Sequence, residues 1–100
     1  MSTQKMPPVH PGEILKEEFL EPKGISQNKL ALDLRVPPPR ISEIVRGKRA
    51  VTADTALRLS RYFGTTPQLW VNLQAHYDLE KAKDDLADKI EREVLPISDP

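Results

Sequence analysis

Two short amphipathic patterns between Ser26 and Arg49 constrain the fold of this 100-residue chain more than any other feature. The first pattern runs from Gln27 to Leu34, and Ser26 precedes it as an N-cap whose hydroxyl can accept from free N–H groups. The second pattern runs from about Pro38 to Arg46. Their apolar faces consist of Leu30, Ala31 and Leu34 in the first and of Ile41, Ile44 and Val45 in the second. Both spacings predict short helices with one buried face.

The connection between these two helices is very short, because only residues 35–37 separate them. Gly47 follows the second helix as a left-handed C-cap. Two amphipathic helices joined this tightly are typical of a helix-turn-helix motif, whose second helix can enter the major groove of DNA.

The composition excludes several kinds of site. Cysteine is absent, so neither disulfides nor thiolate metal sites can form, and the two histidines, His10 and His76, lie far apart. Asp33, Glu43 and Asp54 are interpreted as isolated acids on helices, either solvated or acting as charges at helix N-termini. Because no acids, bases, nucleophiles or metal ligands cluster, we expect no metal, no cofactor and no enzyme activity. No apolar run reaches about 18 residues, and the N-terminus lacks a signal-peptide segment. The expected location is the cytoplasm, without a membrane partner.

Charge is unevenly distributed, although the formal net charge is zero. Residues 35–61 carry seven basic and two acidic side chains, a net charge of +5, so the rest of the chain carries −5. A basic centre between acidic ends can hold DNA phosphates while the whole chain stays neutral. By itself, this pattern fits a solvated basic surface equally well.

Three further helices are predicted around the central pair. The first helix should start at Pro11 and end at Pro22 and Gly24. The fourth should start after Thr52 as N-cap and end at Gly64, and the fifth should start with Thr66 as N-cap and Pro67 in its first turn. Their expected buried residues are Ile14, Leu15 and Phe19, then Ala56, Leu59 and Phe63, then Leu69, Trp70, Leu73 and Tyr77. No segment alternates like a strand, so the predicted fold is an all-α, five-helix bundle.

The helical pattern continues past Tyr77 as a narrow apolar stripe between charged flanks. Its members are Leu79, Ala82, Leu86 and Ile90, followed by Val94. Such a stripe fits a helix that packs on a partner, and the first four residues are the predicted dimer or partner interface. Packing back on its own bundle is the alternative. We therefore predict a flexible arm (1–9), a helix-turn-helix domain (10–77), and a C-terminal helical extension with a frayed end (78–100).

Three segments carry a more specific pattern than a lone helix-turn-helix. They are HPGEILKEEFLEP at 10–22, RISEIVRGKRAVTADTALRLSRYFGTTPQLWVNLQ at 40–74, and YDL at 77–79. In this order and spacing they resemble the Cro/repressor-type helix-turn-helix family and, more narrowly, the HigA (VapI-like) antitoxins. The resemblance implies an antitoxin that neutralises a small RelE-like toxin, which cleaves mRNA, and that represses its own operon as a homodimer on a palindromic operator. A stand-alone repressor without a toxin is the alternative.

In such a motif the start of the second helix presents side chains to base edges. Arg40 can bond guanine O6 and N7 as a fork, and Glu43 can accept from a cytosine amine. Gln27 and Asn28 before it, and Lys48 and Arg49 beyond it, suit phosphate contacts. The complete set of predicted DNA contacts is Gln27, Asn28, Pro38, Pro39, Arg40, Ser42, Glu43, Arg46, Lys48 and Arg49.

The sequence departs from the family pattern at the three consecutive prolines 37–39, where a polar residue, often Asn, is expected at 39. Proline is acceptable in a first helical turn, since those N–H groups lack partners anyway. The run nevertheless removes three donors and replaces polar base readers with rings that can touch only thymine methyls. Base readout should therefore depend more on Arg40 and Glu43. Arg35 is also unusual, because glycine is common at that turn, and we expect a positive φ there.

Overall fold

The computed structural model describes residues 7–98, and within that range the chain forms five helices and no strand. Helix α1 covers residues 11–23 as three consecutive helical pieces, Pro11–Ile14, Leu15–Leu20 and Glu21–Lys23. The others are α2 (Gln27–Leu34), α3 (Pro38–Val45), α4 (Ala53–Phe63) and α5 (Pro67–Glu93). The predicted all-α fold is confirmed. Most of the predicted arm and the last two residues of the predicted frayed end lie outside the described residues.

The predicted helix boundaries rest on local side-chain chemistry. Each of three predicted N-caps accepts from the backbone N–H three residues on: Ser26 at 3.0 Å, Thr52 at 3.4 Å and Thr66 at 3.2 Å. The predicted positive φ at Arg35 is confirmed at 63°, where the residue ends α2 in the left-handed conformation. A non-glycine residue rarely adopts this φ, so the turn between α2 and α3 holds a strained residue.

The predicted end of α1 at Gly24 is confirmed, but Pro22 does not stop the helix. It passes through Pro22 to Lys23 and ends at Gly24, whose φ is 64°. The turn before the proline, Leu15–Leu20, is π-helical, and the Glu21 N–H bonds the carbonyl of Lys16, five residues back. A proline ring normally clashes with the carbonyl four residues before it, and the wider turn relieves that clash.

The core lies where the first four helices meet the start of α5. Its largest fully buried apolar side chains are Leu15, Leu30, Ile41, Ile44, Leu59 and Trp70. The Trp70 indole N–H donates to the Thr65 hydroxyl at 2.9 Å, so its one polar atom is satisfied. Phe19 packs between Phe63 and Trp70, with ring centroids 4.9 and 5.1 Å away. These contacts fix α5 on α1 and α4.

Some residues predicted for the core lie at its edge. Ile14, Phe19 and Phe63 are only half-buried. Leu69 is 36% exposed, so the prediction that it lies on the buried face of α5 is wrong. The inward side of α5 instead consists of Trp70, Leu73, Gln74 and Tyr77, and Leu69 lies beside it. Gln74 was not predicted there, because a polar side chain carries no apolar signal.

The second half of α5 extends away from the bundle. From residue 83 to residue 98 every side chain is exposed. Leu79, Leu86 and Ile90 are 56%, 43% and 50% exposed, so the apolar stripe does not pack back on its own bundle. The radius of gyration, 17.2 Å, exceeds the roughly 13 Å of a compact domain of this length. Within residues 7–98, every helix is too short or too polar to cross a lipid bilayer.

The start of α1 crosses the end of α3 at very close range. A Cβ atom placed on Gly12 would lie 1.8 Å from the carbonyl oxygen of Ile44, and 2.9 Å from the Cα of Val45. Both atoms belong to the backbone and cannot rotate away. Only glycine fits at this position, for lack of space rather than for its φ.

We predict that Gly12→Ala destabilises the fold by at least about 1–3 kcal/mol, the usual range for inserting a methyl group into a filled space. Urea unfolding followed by far-UV circular dichroism measures this free energy. Glu17→Ala, on the exposed side of the same helix, is the matched control and should stay within about 0.5 kcal/mol. Equal stability of the two variants would contradict the close packing of α1 on α3.

Candidate nucleic-acid interface

Helix α3 has one face in the core and its first turn in solvent. Ile41 and Ile44 are fully buried against the rest of the bundle. Pro38 and Pro39 are exposed, and Arg40, Ser42 and Glu43 are half-buried along the flank. The helix therefore presents its N-terminal end outward, the end that a helix-turn-helix protein directs at base edges.

Arg40 is held by the next helix. Its Nη1 donates to the Asp54 carboxylate of α4 at 2.6 Å. Asp54 also accepts from Arg58 Nε at 3.1 Å, and Arg58 Nη1 donates to the Leu34 carbonyl at 2.8 Å. Leu34 is the last residue of α2, where carbonyls lack helical partners. This network, which we call the Asp54 bridge, ties the start of α3 and the end of α2 to α4.

The Asp54 bridge stabilises the ionised carboxylate. Hydrogen bonds from Arg58 and then from Arg40 hold the pKa of the Asp54 carboxyl below its ordinary value.

The interpretation of Asp33, Glu43 and Asp54 as isolated acids is wrong. Asp33 accepts from Lys29 and from the Tyr62 hydroxyl, and Glu43 accepts from Arg49.

Three more of the predicted DNA contacts, Ser42, Glu43 and Arg49, have partners within the chain. The Glu43 carboxylate accepts from Arg49 Nε at 2.8 Å and lies 2.7 Å from Arg49 Nη2. The Ser42 hydroxyl donates to the Pro39 carbonyl at 3.4 Å, which is long for such a bond. Arg49 is a predicted phosphate contact, so the pair joins a base-reading candidate to a phosphate-binding one.

The other predicted contacts lie on either side of α3. Gln27 is half-buried and Asn28 is exposed in the first turn of α2. Arg46 and Lys48 are exposed just after α3. Throughout residues 7–98, no three His, Asp or Glu side chains gather in the way that metal ligands do.

Sequence reasoning missed two residues, Gln74 and His10, that hold the chain just after α3. The Gln74 amide oxygen accepts from the Val51 N–H at 2.7 Å, and its amide nitrogen donates to Asp78 at 2.9 Å. Val51 lies in the loop between α3 and α4, so Gln74 fixes that loop on α5. No sequence motif predicts such a contact, since the two residues are brought together only by the fold.

His10 is the second supporting residue. It caps α1, because its Nδ1 accepts from the Gly12 N–H at 2.9 Å, and it is 6% exposed. Its ring packs edge-on against Tyr77, with centroids 4.7 Å apart, and lies under Gly47 just past α3. Burial lowers the pKa of His10, and the nearby charges of Asp78 and Glu13 only partly oppose this. A cap that accepts through Nδ1 requires the neutral ring.

These features define a helix-turn-helix DNA-binding protein, in which the second helix of the motif has an exposed start held by α4. A family model described as Helix-turn-helix matches residues 16–70. Virulence-associated protein I of Dichelobacter nodosus is 58% identical over 81% of this chain and 75% of its own length. An uncharacterized HTH-type transcriptional regulator of Haemophilus influenzae is 43% identical over 79% of this chain and 72% of its own.

A solved structure extends the comparison to the whole architecture. The chain is similar to the Pseudomonas aeruginosa antitoxin HigA, solved with the higBA promoter, at 46% identity and a TM-score of 0.88. The match covers 91% of this chain and 99% of that one. The chain belongs to the helix-turn-helix family of the HigA antitoxins and virulence-associated protein I.

We predict that stability falls as the pH drops below about 6.5, the ordinary pKa of histidine, because the unfolded chain then binds a proton that His10 resists in the fold. The contribution of neutral His10 to the free energy of unfolding is complete above that pH. It is lost progressively as the pH falls toward the lower pKa that His10 has in the folded chain. His10→Asn keeps an N-cap acceptor without this titration, so its unfolding free energy should change less between pH 7.5 and 5.5.

Urea titrations at several pH values test this prediction. His76→Asn, at an exposed position of α5, is the matched control and should keep the pH dependence of the unaltered chain. The same slope in both variants would mean that protonation of His10 is not coupled to folding.

Proposed function

We propose that this chain is the antitoxin of a toxin–antitoxin module. As a homodimer it binds a palindromic operator and represses its own operon, and it neutralises a RelE-like toxin that cleaves mRNA. The observation that carries the DNA part is the exposed first turn of α3, held in a fixed direction by the Asp54 bridge. The likeness to a HigA solved with promoter DNA supports the same assignment.

Arg40 contacts DNA without leaving Asp54. A guanidinium has five N–H donors, and the bond to Asp54 uses Nη1. The remaining donors can bond guanine O6 and N7, and the bridge lowers the conformational freedom that binding would otherwise cost. Glu43 has a second carboxylate oxygen for a cytosine amine while Arg49 occupies the first. Asp54 is then a positioning residue.

The other contacts fall to either side of this helix. Pro38, Pro39, Ser42 and Arg46 lie along the groove, and Gln27, Asn28, Lys48 and Arg49 contact phosphates. Residues 10–77 form the DNA-binding domain, and residues 78–100 form the extension. Helix α5 crosses that boundary without a break. The division is therefore one of function, with the first half of α5 serving the bundle and the second half serving a partner.

The exposed stripe of α5 supports the dimer. Leaving large apolar side chains in water forgoes about 1.5–3 kcal/mol for each one that could be buried. A second copy of the chain covers the stripe most simply, since one two-fold contact serves both subunits. Two subunits then place their α3 helices about one DNA turn apart, or a multiple of it, on a palindrome.

A stand-alone repressor is the second candidate function. It is favoured by the Haemophilus influenzae relative, which is described as an HTH-type transcriptional regulator. Co-expression with the neighbouring reading frame distinguishes the two functions. A small basic protein that co-purifies with this chain supports the antitoxin, and its absence leaves the repressor.

We predict that Arg40→Ala weakens operator binding by about 1–3 kcal/mol and flattens the preference for operator over random duplex. Lys48→Ala should weaken binding to both duplexes equally, since it loses a phosphate contact. The slope of the logarithm of the binding constant against the logarithm of the salt concentration should then fall in magnitude by about one. Fluorescence anisotropy with promoter DNA and random duplex at several salt concentrations measures both effects.

Arg92→Ala, near the far end of α5, is the control and should bind as the unaltered chain does. Because Arg40 also belongs to the Asp54 bridge, thermal unfolding must show that Arg40→Ala is folded at the assay temperature. A folded Arg40→Ala variant that binds operator with full affinity would exclude the assignment.

We predict that Leu86→Glu combined with Ile90→Glu converts the dimer to a monomer. Carboxylates in a buried apolar contact would be unpaired and costly. Operator binding should then weaken sharply, because one half-site alone must hold the protein. Light scattering measures the mass of the protein in solution. The double variant Asp84→Glu with Glu91→Asp is the control, because it keeps the charge beside the stripe and should remain a dimer. A double variant that remains dimeric would place the dimer contact elsewhere.

A further inference from the structure

The first turn of α3 offers DNA no backbone donors. Pro37 is the N-cap, with φ −62° and ψ 140°, and Pro38 and Pro39 are the first two helical residues. None of the three has an N–H group. The next N–H, that of Arg40, already bonds the Pro37 carbonyl at 2.9 Å. This end of the helix therefore cannot bind phosphate through its amides, as helix N-termini commonly do.

The polar side chains beside the prolines are partnered as well. Arg40 bonds Asp54, the Ser42 hydroxyl bonds the Pro39 carbonyl, and Glu43 bonds Arg49. In contrast, the rings of Pro38 and Pro39 are exposed and have no polar atoms to satisfy. The exposed residues of the first turn of the reading helix, Pro38 and Pro39, are therefore apolar.

We propose that Pro38 and Pro39 read thymine through its C5-methyl group. This inference rests on the proposed binding of α3 in the major groove. The thymine methyl is the apolar group on the major-groove edges of the bases, so an apolar side chain there distinguishes thymine from the other three bases. Each operator half-site then carries thymine at one or two fixed positions that face the rings, and Arg40 acts at a neighbouring base.

The geometry favours readout over a purely structural role for the prolines. A proline at the first helical position alone would start the helix. The second ring adds no helical hydrogen bond and stands in solvent. Both rings are fixed by the backbone, so binding orders no rotamers, whereas a long polar side chain at position 39 would lose that freedom. A rigid apolar surface gives contact without this loss.

Removal of single methyl groups from the DNA tests the proposal. The full chain first selects duplexes from a pool with a randomised 20-bp core. The selected duplex is then made again with deoxyuridine in place of thymidine at one position at a time, which removes the methyl and keeps the base pair. At one or two positions per half-site the affinity should fall about three- to fivefold, the effect of exposing one buried methyl.

Variants of the chain assign that effect to the rings. Pro38→Ser and Pro39→Ser should each reduce the ratio of thymidine to deoxyuridine affinity toward one at a facing position. The helix start tolerates both changes, because an N–H there needs no helical partner. Pro67→Ser is the matched control, since it is an exposed proline at the first position of α5, away from α3, and should keep the ratio.

The outcomes separate this proposal from the proposed function. If no duplex is enriched, the DNA-binding function itself is wrong. If duplexes are enriched but deoxyuridine is tolerated at every position, DNA binding stands and methyl readout is overturned. If the affinity ratio survives in both Pro38→Ser and Pro39→Ser, another residue reads the methyl, and the assignment to the rings is also overturned.

Discussion

The contact on which the rest of this structure depends is the crossing of α1 over the end of α3. At that point the backbone of Gly12 lies against the carbonyl of Ile44, with no space for a side chain. The same crossing brings His10 under Gly47 and against Tyr77, so three helices meet at one buried corner. Because the end of α3 is fixed there, its start can project into solvent and keep a defined direction.

The Asp54 bridge fixes the other end of α3. It also changes the meaning of the basic centre, because Arg40, Arg49 and Arg58 are all paired with Glu43 or Asp54 in the folded chain. The net charge of +5 over residues 35–61 already includes these two acids, so the pairing fixes where positive charge lies and leaves its sum unchanged.

Local features could be predicted from the sequence, and features made by the fold could not. The N-caps at Ser26, Thr52 and Thr66 follow from side-chain chemistry within one helical turn, and so does the positive φ of Arg35. The fold class follows from these helices and from the family resemblance. The bond between Arg40 and Asp54, in contrast, spans 14 residues, and that between Val51 and Gln74 spans 23. Such pairs depend on how helices pack, which spacing does not encode.

The unbroken course of α5 has a geometric consequence. Its first half is fixed to the bundle by Trp70 and Gln74, and its second half carries the stripe at Leu86 and Ile90. A helix turns about 100° and rises about 1.5 Å per residue, so the angle between the stripe and the reading helix is set by the number of residues between them. One residue inserted near position 80 would rotate the stripe by more than a quarter turn about the helix axis. The number of residues in this one helix therefore sets both the distance and the rotation between the apolar stripe and the DNA-reading helix.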